Sequence, residues 1–313
     1  MFQKWIEKAT VLGEEKTIEV RKDSFWKRRV RIMARVGLEI TSIENFDEVI
    51  NKPCVFCMPE KLAKFDEKIF GEKMLENEYA FLFPNINPYA AHSAVCAFKK
   101  HYIKPGDFNA TMIENNLELC MKYLEKVREM DEKAKYFSIN WNYMMPAGAS
   151  ILHPHMQVVA SEHPTTYMEK VMEDKNAFKE YVHEEIKSER FVGSINNIEI
   201  FTPFAPFGFN EVVGVVEGSL KDNISNIASV LEKIISYYAS IGRNSFNIAI
   251  YSSFDDSIPL HFRCITRQNM VKYYRNDCMF FEKLHEEVIL EKKPEEVAKE
   301  LRKFLKMENN KTL

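Results

Sequence analysis

The order in which apolar periodicities follow one another constrains this chain more than any single motif. Twice the pattern runs strand, Pro- or aromatic-rich turn, strand, long helix, strand, turn, strand. The first pass covers roughly residues 79–160 and the second roughly 198–267. Strands are predicted at 79–83, 93–98, 137–141 and 151–160, then at 198–201, 212–216, 246–251 and 261–266. Between them, Met112, Ile113, Leu117, Cys120, Leu124 and Val127 repeat at helical spacing, as do Ile224, Ile227, Leu231, Ile234, Ile235 and Tyr238. A charged helix is predicted over 166–187. Another opens at Pro294, with Val297, Ala298, Leu301 and Leu305 on one face. The reading is an α+β fold built from a duplicated unit, with antiparallel sheets flanked by helices. The halves are placed at 1–160 and 161–313. No Gly/Ser linker divides them, so one compact body is expected.

Composition narrows the function. Lys+Arg (43) and Asp+Glu (46) nearly cancel, leaving a formal net charge of −3, so no broad basic coat exists for a nucleic acid polymer. No apolar stretch approaches the roughly 20 residues that span a bilayer. Charges interrupt the apolar residues of the N-terminus, as they would not in a signal peptide. Six scattered cysteines in 313 residues read as a reduced, cytoplasmic protein rather than a disulfide scaffold.

Chemistry concentrates in Gly148-Ala149-Ser150-Ile151-Leu152-His153-Pro154-His155-Met156-Gln157. On a strand, His153, His155 and Gln157 would share one face. Pro154 has no ladder donor, so this segment belongs at a sheet edge or a strand start. Gly148 and Ser150 can bring backbone N–H groups and a hydroxyl to an oxyanion. Imidazole, with an unshifted pKa near 6.5, is a competent nucleophile at neutral pH and can split one phosphoryl displacement into two.

Cys54-Val55-Phe56-Cys57 is the only C-x-x-C and by itself fits zinc, redox chemistry or accident. Pro53 before it and Met58-Pro59 after it suit a redox helix poorly. Zinc requires two further ligands, with histidine the expected type.

The row Asn142-x5-Gly148-Ala149-Ser150-x2-His153-Pro154-His155-x-Gln157 resembles the active-site motif of the galactose-1-phosphate uridylyltransferases, the transferase branch of the histidine-triad superfamily. The resemblance implies histidine-triad-like halves and a homodimer. It makes His155 the nucleophile that takes up a nucleotidyl group. Ser150 and Gln157 would be its catalytic partners, Gln157 standing where histidine-triad hydrolases carry a third histidine. A neutral amide there can hydrogen-bond a phosphoryl oxygen but cannot shuttle a proton, which suits transfer over hydrolysis. It also implies a structural zinc on Cys54, Cys57, His101 and His153, with His92 as a less fitting alternative ligand. Arg35 and then Arg31, from the Arg21–Asp23 and Arg29–Arg35 stretch, would approach the nucleotide phosphates. Asn85, in Phe83-Pro84-Asn85, would lie near base and ribose, and Asn142 and Gly148 near the phosphates. Similarity continues through Pro203–Phe207 and from Phe281 to Arg302.

Departures from the family pattern matter as much. Its second-half His-x-His, part of an iron site, reads His261-Phe262-Arg263 here, so no iron is expected, and Arg263 is either a replacement cation or a surface strand residue. Sugar-contacting Tyr and Gln positions become Phe281 and roughly Val288. The glycine after the motif asparagine is lost in Tyr143-Met144-Met145-Pro146. The resemblance therefore implies exchange of a sugar 1-phosphate on a nucleotide sugar through a nucleotidyl-histidine, with UDP-hexose and galactose 1-phosphate as the family's default substrates. Two alternatives stand beside it. One is a nucleoside-diphosphate-sugar or dinucleoside-polyphosphate phosphorylase using inorganic phosphate. The other is a zinc-stabilised nucleotide-binding protein without turnover.

Overall fold

A computed structural model describes residues 2–33, 50–271, 278 and 280–307. It opens with a long hairpin, β1 (Phe2–Val11) and β2 (Glu14–Asp23), followed by β3 (Arg29–Ile32). The first copy of the repeated pattern contains β4 (Leu75–Glu76), β5 (Ala80–Pro84), β6 (His92–Phe98), α1 (Ala110–Met130), β7 (Tyr136–Tyr143) and β8 (His155–Ser161). A helical hairpin follows, α2 (Thr166–Glu173) and α3 (Lys175–Ile186). The second copy has β9 (Phe191–Ile195), β10 (Ile198–Phe201), β11 (Phe209–Val216), α4 (Leu220–Ser240), β12 (Phe246–Ser253) and β13 (His261–Thr266). β14 (Glu287–Leu290) and α5 (Pro294–Leu305) complete the described chain.

Ten strands form one sheet in the order β4-β5-β6-β8-β7-β12-β13-β11-β10-β9. The order 5-6-8-7 is repeated as 10-11-13-12, and the copies join where β7 pairs antiparallel with β12, from Phe246 opposite Tyr143 to Ser253 opposite Tyr136. This is the α+β architecture expected, with helices flanking antiparallel strands. β1, β2, β3 and β14 form a separate four-stranded sheet in which β3 and β14 run parallel.

The long helices follow from their periodicity and caps. Ile113, Leu117, Cys120, Leu124 and Val127 are buried on α1, and Ile227, Leu231, Ile234 and Tyr238 on α4. Asn109 and Ser219 cap them by accepting the backbone N–H groups of Met112 and Asp222. Both helices lie on one sheet face, where every second strand residue (Leu82, Cys96, Ile139, Met156, Ile200, Val212, Ile248 and Phe262) enters a shared core. Gly214 belongs to that face because a Cβ there would meet the Phe262 ring at 2.1 Å.

Two sequence expectations are corrected. The helix predicted over 166–187 is two, because Asp174 leaves helical geometry (φ −149°, ψ 87°) and its carboxylate caps Ala177 N–H at 2.9 Å. The strand predicted over 151–160 starts only at His155, so His153 precedes it. Pro154 is the reason: it offers no N–H, although its carbonyl still accepts from Phe98 N–H at 3.1 Å. The strand it begins is central, between β6 and β7, so the proline marks a strand start and not an edge.

Candidate active site and metal centre

The sheet face opposite the long helices is used differently in the two copies. In the first it carries His155 and Gln157 on β8, Asn140 and Asn142 on β7, and Phe81, Phe83, Val95 and Ala97 on β5 and β6. Among the described residues, the segment around Phe56 and Leu62 packs on those apolar residues, with Met74 and Ile151 at its margin. In the second copy, Trp26, Met168, Val171, Phe178, Tyr181 and Ile258 cover the corresponding strands.

Cys54, Cys57, His101 and His153 converge with all four ligand atoms within 4.8 Å of one another. Cys57 Sγ lies 3.1 Å from His101 Nδ1, and both sulfurs lie 3.5 Å from His153 Nδ1. A tetrahedral ion at about 2.3 Å from sulfur and about 2.0 Å from nitrogen sets S···N edges of roughly 3.5 Å, so this group can hold a metal ion. The far nitrogens agree. His153 Nε2–H donates to Phe98 O at 2.5 Å and His101 Nε2–H to Ile50 O at 2.5 Å. A carbonyl only accepts, so each ring keeps its proton on Nε2 and turns the Nδ1 lone pair inward. Without a cation, burial and the neighbouring Cys54 push the Cys57 thiol up to about 11. A divalent ion removes that conflict by binding both sulfurs as thiolates. His92 is not part of this group: its Nε2 pairs with Asp131 at 2.8 Å.

The metal group is joined to His155 through one backbone atom. His153 presents its side chain to the cysteines, and its carbonyl accepts a 2.8 Å hydrogen bond from His155 Nδ1–H. That bond leaves the His155 lone pair on Nε2, to which no described residue bonds. Phe56, between the two cysteines, packs edge-on against both imidazoles, with centroids 5.7 Å from His153 and 5.1 Å from His155. Burial lowers the pKa of His155, partly opposed by its bond to the His153 carbonyl, and keeps the ring neutral. A neutral imidazole with a directed lone pair is what a nitrogen nucleophile requires.

Around it, Gln157 lies on the same face two residues on, its side-chain amide free of hydrogen bonds to described residues. Gly148 has φ +90° and is exposed with Ser150, at the mouth of the loop leading to His153. Met144, in the stretch from Tyr143 to Pro146 where the resembled family's glycine is lost, holds φ 71° and ψ 162°, a backbone region costly for any side chain. Asn142 Oδ1 accepts from Asn247 Nδ2 at 2.7 Å. Asn85 stabilises its own turn, accepting from Asn87 N–H at 3.0 Å. Arg31 lies in the four-stranded sheet, already paired with Glu287 at 2.7 Å and Glu7 at 2.8 Å. Arg35 falls outside the described residues. Phe281 stacks under Arg31, and Val288 is buried among Val30, Ile32 and Leu290, so it cannot touch a ligand. Phe56 and Asn247 were missed by the sequence reading. Phe56 signals itself only as an aromatic inside the C-x-x-C, and Asn247 only through the β7–β12 register.

The second copy repeats the histidine geometry and then closes it. His261 Nδ1–H donates to Pro259 O at 2.6 Å, again two residues back, but its Nε2 accepts from Tyr167 O–H at 2.9 Å. Burial drives its pKa down to about 4. Arg263 is no surface residue. It is 7% exposed, bonded to the fully buried Glu211 at 2.5 Å, with its guanidinium 3.9 Å from the Phe207 ring centroid. Replacing Arg263 by alanine should therefore cost about 3–5 kcal/mol, because Glu211 is left as an uncompensated buried charge. Chemical denaturation should show that loss, and a change below about 1 kcal/mol would mean that Glu211 is not held as a carboxylate.

No family model matches the chain. An uncharacterized protein of Archaeoglobus fulgidus is 29% identical over 331 residues, covering 97% of this chain and 98% of its own length. An ADP-glucose phosphorylase from Arabidopsis thaliana, solved with bound ADP-glucose, superposes with a TM-score of 0.69 at 16% identity, over 91% of this chain and 98% of that one. A uridylyltransferase superposes with a TM-score of 0.61 at 16% identity, over 92% and 98%. The chain thus shares the fold of these solved structures, an ADP-glucose phosphorylase and a uridylyltransferase, over nearly their whole length.

Proposed function

We propose that the chain is a nucleotidyltransferase acting by two successive displacements at the α-phosphorus of a nucleotide sugar. His155 Nε2 attacks, the N–P bond forms, and the bond from α-phosphorus to the bridging oxygen breaks, so that a sugar 1-phosphate leaves with the electron pair. A phosphate oxygen of the acceptor then attacks the same phosphorus and breaks the N–P bond. The observation that carries this reading is the 2.8 Å bond from His155 Nδ1–H to the His153 carbonyl, which leaves Nε2 as an unprotonated nucleophile to which no described residue bonds. Gln157, Ser150 and the backbone at Gly148 supply donors for charge developing on the phosphoryl oxygens.

By likeness to uridylyltransferases, the first substrate pair is UDP-hexose and galactose 1-phosphate. A second reading, with inorganic phosphate as acceptor, is favoured by Val288, which stands buried where the resembled family uses a sugar-contacting glutamine. The fold shared with an ADP-glucose phosphorylase agrees with that reading. We assign zinc to Cys54, Cys57, His101 and His153. The ion would anchor the His153 ring and, through the His153 carbonyl, the His155 tautomer. The family resemblance further implies a homodimer, which sedimentation would test.

The decisive experiment is the intact mass of the protein after incubation with UDP-glucose, and separately with ADP-glucose, without acceptor. A gain of one nucleotidyl group is expected from one of them and identifies the base. Adding galactose 1-phosphate or phosphate in turn should discharge the adduct and identify the acceptor. No gain with either nucleotide would overturn the covalent mechanism. Changing Gln157 to glutamate should slow adduct formation about 10²-fold or more, because a carboxylate repels the phosphoryl oxygens that the amide can bond. A rate within twofold of wild type in stopped-flow quench would remove Gln157 from the site.

A further inference from the structure

Asn142 lies on the nucleophile's side of the sheet, yet its orientation is set by residues of the second copy. Asn247 stands directly opposite it in the β7–β12 register. Arg267 Nη1 donates to Asn247 Oδ1 at 3.0 Å, while Asn247 Nδ2 donates to Asn142 Oδ1 at 2.7 Å and to Ala147 O at 2.8 Å. A guanidinium only donates and a backbone carbonyl only accepts, so both ends of the Asn247 amide are determined and it cannot flip. The consequence passes on to Asn142. With Oδ1 engaged, its Nδ2 faces the loop, 3.8 Å from where a Cβ on Gly148 would sit. The bond to Ala147 O pins the residue next to Gly148 by the same group.

We infer that Asn247, held by Arg267, is a positioning residue. It orients the Asn142 amide so that two N–H donors, and not a carbonyl oxygen, face the phosphate bound beside Gly148. One asparagine thereby ties the seam between the copies to the site and sets that site's preference for an anion. The inference rests on the reading of the His155 face as a phosphoryl site.

The test is a double-mutant cycle with UDP-glucose and ADP-glucose, reading both the rate of adduct formation and the dissociation constant. Asn247→Leu, neutral and of similar volume, should slow adduct formation about 10²-fold, the loss typical of one misplaced oxyanion donor. Asn142→Ala should cost the same, and the double variant no more than about twofold further. Asn247→Asp, which can donate to neither partner, should invert the Asn142 amide and lose at least as much. Arg267→Met, which leaves the seam packing intact, should lose about tenfold by letting Asn247 rotate. It serves as the check should Asn247→Leu fold poorly. Additive losses in the cycle, or wild-type rates for Asn247→Leu, would overturn the inference. If the wild-type protein forms no adduct, covalent transfer falls and the cycle is read on affinity alone. Weakening of about fivefold by Asn247→Leu, absent when Asn142 is alanine, upholds the positioning role, and unchanged affinity, or no binding at all, overturns it.

Discussion

Replacing His155 by glycine is expected to abolish the covalent nucleotidyl adduct while leaving nucleotide-sugar binding within a few-fold of wild type. Exchange between a nucleotide sugar and its sugar 1-phosphate should fall by at least about 10⁴-fold, the scale of losing a nucleophile that acts with its partners as a unit. The separation of the two effects follows from geometry. Nε2 makes no bond to any described residue, whereas the Asn142 amide and the Gly148–Ser150 loop do not depend on the His155 ring for their position. The ring does fill space: it is 5% exposed and packs against Phe56, so a modest loss of stability accompanies the substitution. Free imidazole added to the glycine variant should occupy that space and restore part of the exchange. Calorimetry for binding and intact mass for the adduct check the prediction. Binding and adduct lost together, without rescue, would assign His155 to structure instead of chemistry.

The second large effect is expected at the cysteine pair. On the proposed assignment of zinc to Cys54, Cys57, His101 and His153, Cys57→Ser should lower the bound metal to well below one ion per chain. It should also reduce stability by more than about 3 kcal/mol, the upper end for ordinary substitutions, because losing a metal is one of the large-effect mechanisms. Adduct formation should slow about 10–100-fold even where protein remains folded, because a ligand position governs the groups bonded behind it. The path is short. Cys57 Sγ faces His153 Nδ1, the His153 carbonyl holds His155 Nδ1–H, and that bond directs the Nε2 lone pair. Elemental analysis, thermal melts with and without a chelator, and single-turnover rates read the three consequences. Protein that contains no zinc and melts unchanged in chelator would leave Cys54–Cys57 as a thiol pair without a metal.

Much of the fold was legible because its signals are local. The spacing of Ile113, Leu117, Cys120, Leu124 and Val127 can bury only one helix face, and that face is the buried one. The strand at His261–Thr266 was bounded correctly as a short apolar run between helical stretches. Errors fell where one residue overrides a pattern. Asp174 breaks a periodicity that otherwise runs on, because its carboxylate competes for the backbone N–H groups of the next turn. Pro154 delays β8 by removing a ladder donor. β14 was not anticipated, since four residues beside β3 carry too little pattern to announce a parallel pairing.

The sequence by itself determined the chemical types and their spacing. Two cysteines, two histidines and a glycine–serine loop ahead of His155 and Gln157 were all readable, because spacing and residue type are properties of the chain alone. Tertiary structure decided which of those groups keep their valences open. His155 and His261 each give their Nδ1 proton to the carbonyl two residues back, and nothing local separates them. What separates them is that Tyr167 caps Nε2 of His261 while the Trp26 cluster and the Arg263–Glu211 pair fill the space beside it. Arg31 likewise reads as a free cation until Glu7 and Glu287, 24 and 256 residues away in sequence, arrive to neutralise it. Hydrogen bonds and ion pairs saturate through space, so the groups left available to a ligand are known only once every distant partner is in place.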